Sequence, residues 1–412
     1  MSQADSSSPT LRILEGDCWV FFSFDVGHAI DLDRSQSLLK GSPEGASGAS
    51  AEEARREEIG RPGPHRRIPT SFQFRPPPLR IEQSLSDQPA VEIVGFRSIH
   101  SVECTLFEFG AISVAYRFPI GDEGGRPLAS LLPLSQALFD NARLREDATR
   151  RVSALIQRLA PAIDKRDIAP TIEDYTVYHA KRWACDASSA GADASAAIRT
   201  CGESVARLLL GEGASADLEL SPAAIEATLA TMVSYSKADA AVIDWNAAII
   251  LGPDEEDALA VLEFANVELL EMRFLDDRLD AALDVTYSSI LKKGEDGLGR
   301  TSPLGLLTDP HRDRRRRLAA LQMENVVLFE GVNNAIKLVG DQHLARLYAA
   351  AAKRFHLADW DESILRKLHT IDGLYQKLAD EQAARRMEVL EWIVIILIAV
   401  SIVLPFVPGV GK

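Results

Sequence analysis

Three short stretches of the chain share one pattern of apolar and polar positions: FDVGHAIDL from Phe24, FEFGAISVA from Phe107 and IDWNAAIIL from Ile243. Each runs apolar, acid, apolar, then Gly or Asn, then a short apolar tail. Gly27, Gly110 and Asn246 are residue types that tolerate positive φ, and their flanks alternate or are rich in β-formers. The pattern therefore predicts three tight β-hairpins. It is compatible with an internal repeat and with one turn solution used three times. Residues 132–159 have helical spacing, and DYTVYHAKRW from Asp174 predicts a further strand, which gives an α+β domain over residues 11–185. Residues 41–78, rich in Gly, Ser, Pro and mixed charge, read as a mobile insertion in that domain, and residues 1–10 as a disordered N-terminus. A Ser/Ala/Gly linker then opens residues 186–252, with helices near 195–210 and 222–234 before the third hairpin.

Beyond residue 253 the apolar spacing is that of long helices. Pro253 and the acids of DEED open one, KKG at Lys292–Gly294 closes it, and both ends complement the helix dipole. Such a helix would extend about 60 Å. Leu275, Leu279 and Leu283 mark its apolar stripe, with Glu263, Glu271, Asp277, Asp280 and Asp284 assigned to the other faces. A second helix is predicted from Asp309-Pro310 and a third from Asp359–Glu362. The third carries Ile364, Leu368, Ile371, Tyr375 and Leu378 at four-three-four-three spacing, a heptad seam for packing within the chain or for self-association between subunits. The long-helix domain spans residues 253–391.

The run from Trp392 to Val410 is uncharged. As a helix its roughly 19 residues would rise about 28 Å, close to a bilayer's hydrocarbon thickness. The expectation is a single-pass transmembrane tail anchor over 392–410, entered through Glu391 and Trp392. Arg385 and Arg386 precede it and Lys412 follows it, which places the soluble bulk on the cytoplasmic side. The fold expected is thus α+β, with an N-terminal hairpin-rich domain, long C-terminal helices and one C-terminal transmembrane helix.

Composition adds little to this. The 412 residues exceed one typical core, and 45 basic against 60 acidic residues leave a net charge of −15. That argues against broad nonspecific nucleic-acid binding but leaves room for a local basic patch. The first residues lack the basic and apolar regions of a secretory signal. The four cysteines, Cys18, Cys104, Cys185 and Cys201, form no CxxC pair and read as buried reduced thiols. No P-loop, strand-linked GxGxxG, HExxH or GxSxG is present, and the histidines are dispersed. Asp276 and Asp277 are adjacent on a helix and point in different directions. No catalytic, metal or cofactor-binding residue is assigned and no cofactor is implied. One charge feature needs an account: HRDRRRR puts Arg312, Arg314, Arg315, Arg316 and Arg317 into the first turns of a predicted helix, where the dipole disfavours cations. Asp280 and Asp284 could compensate them inside the protein, or the cluster could meet a phosphate-bearing partner such as RNA, the ribosome or lipid headgroups.

The C-terminal residues GDQHLARLYAAAAKRFHLADWDESILRKLHTIDGLY, followed by RRMEVLEWIVIILIAV, resemble the required-for-meiotic-nuclear-division family, with Leu390-Glu391-Trp392 as the membrane entrance. Ser401 stands where that family often places an acid. The resemblance implies an α+β N-terminal part, long helices, a terminal membrane segment, a homo-oligomer and support of translation at a membrane. The function expected is a non-enzymatic, tail-anchored, self-associating scaffold or adaptor; the alternative is a membrane-linked enzyme with an unrecognised site in the hairpin domain.

Overall fold

The computed structural model describes residues 9–41, 57–60, 77–84, 90–166, 168–186, 193–211, 219–253, 256–295 and 342–403. The first strand, β1 (Leu11–Asp25), is fifteen residues long because its side chains suit both faces of a sheet. Val20, Phe22 and Phe24 enter one apolar cluster, while Phe21 enters the other, as the two-residue strand period requires. After β2 (Ala29–Ile30) comes α1 (Leu32–Lys40), capped by Asp31, whose carboxylate accepts the Arg34 N–H at 2.9 Å. β3 (Glu57–Gly60) and β4 (Leu79–Ser84) pair at one edge of the sheet, so the predicted insertion contributes an edge strand. β5 (Glu92–Ile93) and β6 (Phe96–Arg97) form a small ribbon, and β7 (Ser101–Leu106), β8 (Ala111–Pro119) and β9 (Arg126–Pro127) follow.

Two helices, α2 (Leu132–Leu138) and α3 (Ala142–Arg158), occupy the predicted helical stretch. Asp140, at φ +49°, turns the chain between them, and the Asn141 side chain caps α3 by accepting the Leu144 N–H. Next come β10 (Ile163–Asp164), β11 (Ile172–Cys185), α4 (Ala194–Thr200), α5 (Gly202–Leu210), α6 (Pro222–Leu229), β12 (Ala240–Ile243) and β13 (Ala247–Leu251). The main sheet runs β12-β13-β11-β1-β8-β7-β4-β3, with β9 added beside β1. Every described pairing in it is antiparallel except β11 with β13, which is parallel.

Three helices complete the described chain: α7 (Glu256–Glu295), α8 (Gln342–Arg354) and α9 (Leu357–Val403). The chain divides into two compact units, Met1–Phe274 with Val327–Trp360, and Leu275–Val326 with Asp361–Lys412. In the first, the sheet is covered on one face by a core that includes Leu144, Val152 and Leu155 of α3, and on the other by Val261, Phe264 and Ala265 of α7 with Leu347 and Ala351 of α8. In the second, the Lys367 ammonium on α9 reaches Asp276 at 2.7 Å and Asp280 at 2.6 Å on α7. Burial works against the Lys367 charge, but these two hydrogen-bonded carboxylates prevail and raise its pKa.

Two of the three predicted hairpins form. β7 and β8 meet around Gly110, and β12 and β13 around Asn246. The first stretch differs: β2 pairs with β10, so Gly27 links two strands of different sheets. Asn246 also keeps a negative φ, whereas Gly110 sits at φ +104°. A Cβ at Gly110 would lie 1.8 Å from the Gly27 carbonyl oxygen, and the Val26 N–H donates to the Gly110 carbonyl at 3.0 Å. The two glycine turns therefore lock face to face. Replacing Gly110 with alanine should cost about 2–3 kcal/mol through backbone strain and overlap. An unchanged urea midpoint would show that this close approach is not needed.

Two helical expectations are corrected. The sequence pattern puts Glu263 and Glu271 on polar faces of α7, yet they are buried together with Asn266 and Glu268. Residues 261–272 are buried all round, because this part of α7 lies between the sheet and α8. The transmembrane tail anchor is also overturned. No helix of the described residues is long and apolar enough to cross a membrane. In α9 the charged positions extend to Glu391, and the uncharged part described runs only from Trp392 to Val403. Residues 404–410 of the expected span lie outside the described residues. The single-pass membrane localisation, with its cytoplasmic orientation, falls with the anchor on which it depended.

Candidate functional site

A row of polar side chains crosses the α7-facing side of the sheet. In register, Arg80 of β4 faces Thr105 of β7, Thr105 faces Ser113 of β8, Ser113 faces Ser23 of β1, and Ser23 faces Glu173 of β11. Each strand contributes one residue at the same level, so the row is a product of register. Above it, α7 presents Glu263, Asn266 and Arg273, whose spacing of three and seven puts them on one helix face. Burial raises the Glu263 pKa, opposed by Arg80 and the hydroxyls of Ser113 and Thr105. Asn266 donates to Ser23 Oγ at 2.9 Å. Arg273 forms an ion pair with Glu173, whose pKa is raised by burial against the pull of that guanidinium.

The row ends in a cleft of about 310 Å³ in the sheet unit. Its position follows from the pairing of β11. β13 joins β11 only from Thr176 opposite Ala247 onward, so Ile172–Tyr175 have no strand on that side. Successive residues of a strand point to opposite faces. Glu173 thus meets Arg273 of α7 on one face, and Asp174 meets Arg145 of α3 on the other, at 3.1 Å. Arg145 also reaches Asp140 at 2.7 Å. Burial raises the Asp174 pKa, with Arg145 opposing it. Trp245, Phe139, Leu209 and Leu269 supply apolar wall. The cleft is a small chamber in which Arg273 pairs with Glu173, and Arg145 with Asp174 and Asp140.

The sequence-predicted site residues are elsewhere. Arg312 and Arg314–Arg317 lie outside the described residues, and Asp280, one of their expected internal partners, is held by Lys367. Ile364, Leu368 and Ile371 are buried; the side chains of Tyr375 and Leu378 lie outside the described residues, as do those of Arg385 and Arg386. Glu391 and Trp392 are exposed on α9. Cys185 and Cys201, unremarkable in the sequence, come together with sulfurs 3.8 Å apart. Burial first, then the neighbouring Cys185, pushes the Cys201 thiol up to about 12, which makes it a poor nucleophile at neutral pH. His343, which follows an acid in the sequence, lies 3.8 Å from Asp239. Among the described residues no group of three His, Cys, Asp or Glu is placed to hold a metal ion.

Fold and cleft together define a mixed α+β protein with one large sheet and a charged chamber at the end of its parallel strand pair. The chain belongs to the family described as "Uncharacterized protein MJ0711, N-terminal domain", whose model matches residues 15–258. It is 24% identical over 182 residues to "Uncharacterized protein MJ0711" of Methanocaldococcus jannaschii, covering 44% of this chain and 53% of the relative. The chain thus spans about half the length of the curated relative it matches. No solved structure matches it significantly. The resemblance to the required-for-meiotic-nuclear-division family is thereby overturned. It rested on residues 340–400, where helix periodicity and hydrophobicity are shared by unrelated long helices, whereas the family match lies on the sheet unit.

Proposed function

We propose that the protein is a non-enzymatic scaffold whose copies assemble through the C-terminal part of α9. The observation that carries this reading is the exposure there: Leu390, Trp392, Val400 and every residue from Ile393 to Ile398 are exposed apolar side chains. They cover the whole circumference of the helix. A helix apolar all round is normally covered, and a contiguous exposed patch of this kind marks an interaction surface. A second copy brings an identical surface at equal concentration, and one neighbour covers only part of a helix. The all-round apolar surface therefore suits a bundle of several copies better than a pair. Ile364, Leu368 and Ile371 are already buried within the chain, so assembly is assigned to the segment beyond them.

Light scattering on the full chain should give a multiple of 45.0 kDa, and the double variant Ile395→Asp/Ile398→Asp should return to the mass of one chain. A monomeric wild type at tens of micromolar, or a double variant that keeps its mass, would remove this reading. Recruitment of RNA or a ribosome gains no support, since the arginine cluster lies outside the described residues. The second reading, an enzyme with its site in the sheet unit, is favoured by the cleft beside β11. Against it, Glu173 and Asp174 are each engaged by an arginine rather than free for acid–base work.

A further inference from the structure

We propose that the cleft beside β11 binds a small zwitterion: an α-amino acid with an apolar or aromatic side chain, or a molecule with the same arrangement of charges. The proposal is independent of self-association through α9. It starts from the two ion pairs. Arg145 with Asp174 and Arg273 with Glu173 reach one chamber from opposite faces of the same strand. In both pairs the arginine is the more exposed member, with side chains 35% and 40% exposed against 27% for Asp174 and 10% for Glu173. The guanidinium groups thus have N–H groups to offer beyond those that hold the acids.

Charge balance selects the ligand class. A simple anion taken up by either arginine would compete with a carboxylate that is partly or largely buried, and stranding such a carboxylate is costly. A simple cation that took Glu173 would strand Arg273 in the same way, whereas Arg145 keeps Asp140 as a second acid. A molecule carrying both charges can exchange partners pairwise: its carboxylate takes an arginine, its ammonium takes the acid released, and no charge is left alone. Bidentate acceptance of a carboxylate is what the guanidinium fork does best.

The rest of the chamber sets the body of the ligand. Trp245 is 40% exposed, and Phe139, Leu209 and Leu269 add apolar surface. The volume of about 310 Å³ would hold on the order of ten waters and sits at the low end of small-molecule pockets. A free amino acid fits that scale. Asn266, buried above the row and bonded to Ser23, fixes the α7 face from which Arg273 projects.

The test is calorimetric titration of the full chain with three probes of one shape: L-phenylalanine, phenethylamine, which has only the cation, and 3-phenylpropionate, which has only the anion. L-phenylalanine is expected to bind saturably and at least tenfold more tightly than either analogue. The neutral double variant Glu173→Gln/Arg273→Met removes one pair without leaving a lone charge, and should weaken L-phenylalanine at least tenfold with little change in melting temperature. Should that variant fail to fold, Trp245→Ala serves instead, and is expected to weaken L-phenylalanine much more than L-alanine. No saturable binding of L-phenylalanine at millimolar concentration, equal binding of a single-charge analogue, or variants that bind as the wild type does would each overturn the proposal.

Discussion

Replacing Arg354 with methionine is expected to lower the stability of the sheet unit by about 3–5 kcal/mol. Asp244, at the end of β12, has a side chain only 3% exposed. One of its oxygens accepts from Arg354 Nε at 2.7 Å and from the same guanidinium's Nη2, and also takes the Trp245 N–H at 2.7 Å. The guanidinium comes from the last residue of α8, so this contact ties that helix to the turn before β13. Removing it leaves a carboxylate buried beside Tyr175, whose hydroxyl donates to the Asp244 carbonyl at 2.9 Å. Lysine should restore only part of the loss, because an ammonium cannot reproduce the paired N–H geometry. The double variant Asp244→Asn/Arg354→Met should recover more than half of it, since no charge is then stranded. Urea denaturation reads all four proteins; a cost below about 1 kcal/mol for Arg354→Met would show that Asp244 does not depend on this partner.

Glu268 is expected to make stability fall as pH rises from about 5 to 8. It lies in the fully buried part of α7, accepts a hydrogen bond from the Tyr348 hydroxyl at 2.6 Å, and has its pKa raised to about 7 by burial, with that hydrogen bond pulling the other way. An unfolded glutamate releases its proton near 4.5. Between those values the folded chain holds a proton that the unfolded chain has lost, so raising the pH favours unfolding. The contribution is whole below pH 4.5 and gone above pH 7. At 1.36 kcal/mol per pKa unit, the swing is about 3 kcal/mol. Glu268→Gln keeps an acceptor for Tyr348 and cannot ionise. It should match the wild type within about 1 kcal/mol at pH 5 and exceed it by about 2–3 kcal/mol at pH 8. Burial raises the pKa values of Glu103 and Glu263 as well, but those groups are common to both proteins and largely cancel in the comparison. A gap that stays constant from pH 5 to 8 would mean that Glu268 is already ionised at the lower pH.

Signals contained in a few neighbouring residues were legible in the sequence. The apolar pattern of residues 107–115 and 243–251 gave hairpins, and helical spacing over residues 132–159 gave the stretch that folds as α2 and α3. The acids after Pro253 placed the start of α7 within a few residues, and the apolar rhythm from Asp359 onward marked α9. Each depends on local backbone preference and a one-dimensional pattern, which the chain carries without reference to its fold. The same locality explains the errors. A run of uncharged residues reads as a membrane span by composition, although no helix of the described residues is long and apolar enough to cross a membrane, and periodicity in a long helix imitates family likeness.

Only tertiary structure decided the candidate site. Arg80, Thr105, Ser113, Ser23 and Glu173 are scattered through the sequence and become a row because strand pairing brings them to one level. Glu263 and Glu271 read as the solvated side of an amphipathic helix, yet they and Glu268 are buried because α7 is covered on both sides. The cleft exists because β13 joins β11 late, and its two ion pairs because Glu173 and Asp174 point to opposite faces where α7 and α3 each supply an arginine. The sequence by itself determined two of the hairpins and the main helical stretches, since those choices rest on contacts within a few residues, whereas the edge strand Glu57–Gly60 and the pairing of Ala29–Ile30 with Ile163–Asp164 depended on distant partners. Which charges are buried, which are paired and where a chamber opens was decided by register and layer packing, which depend on contacts between residues up to 243 positions apart.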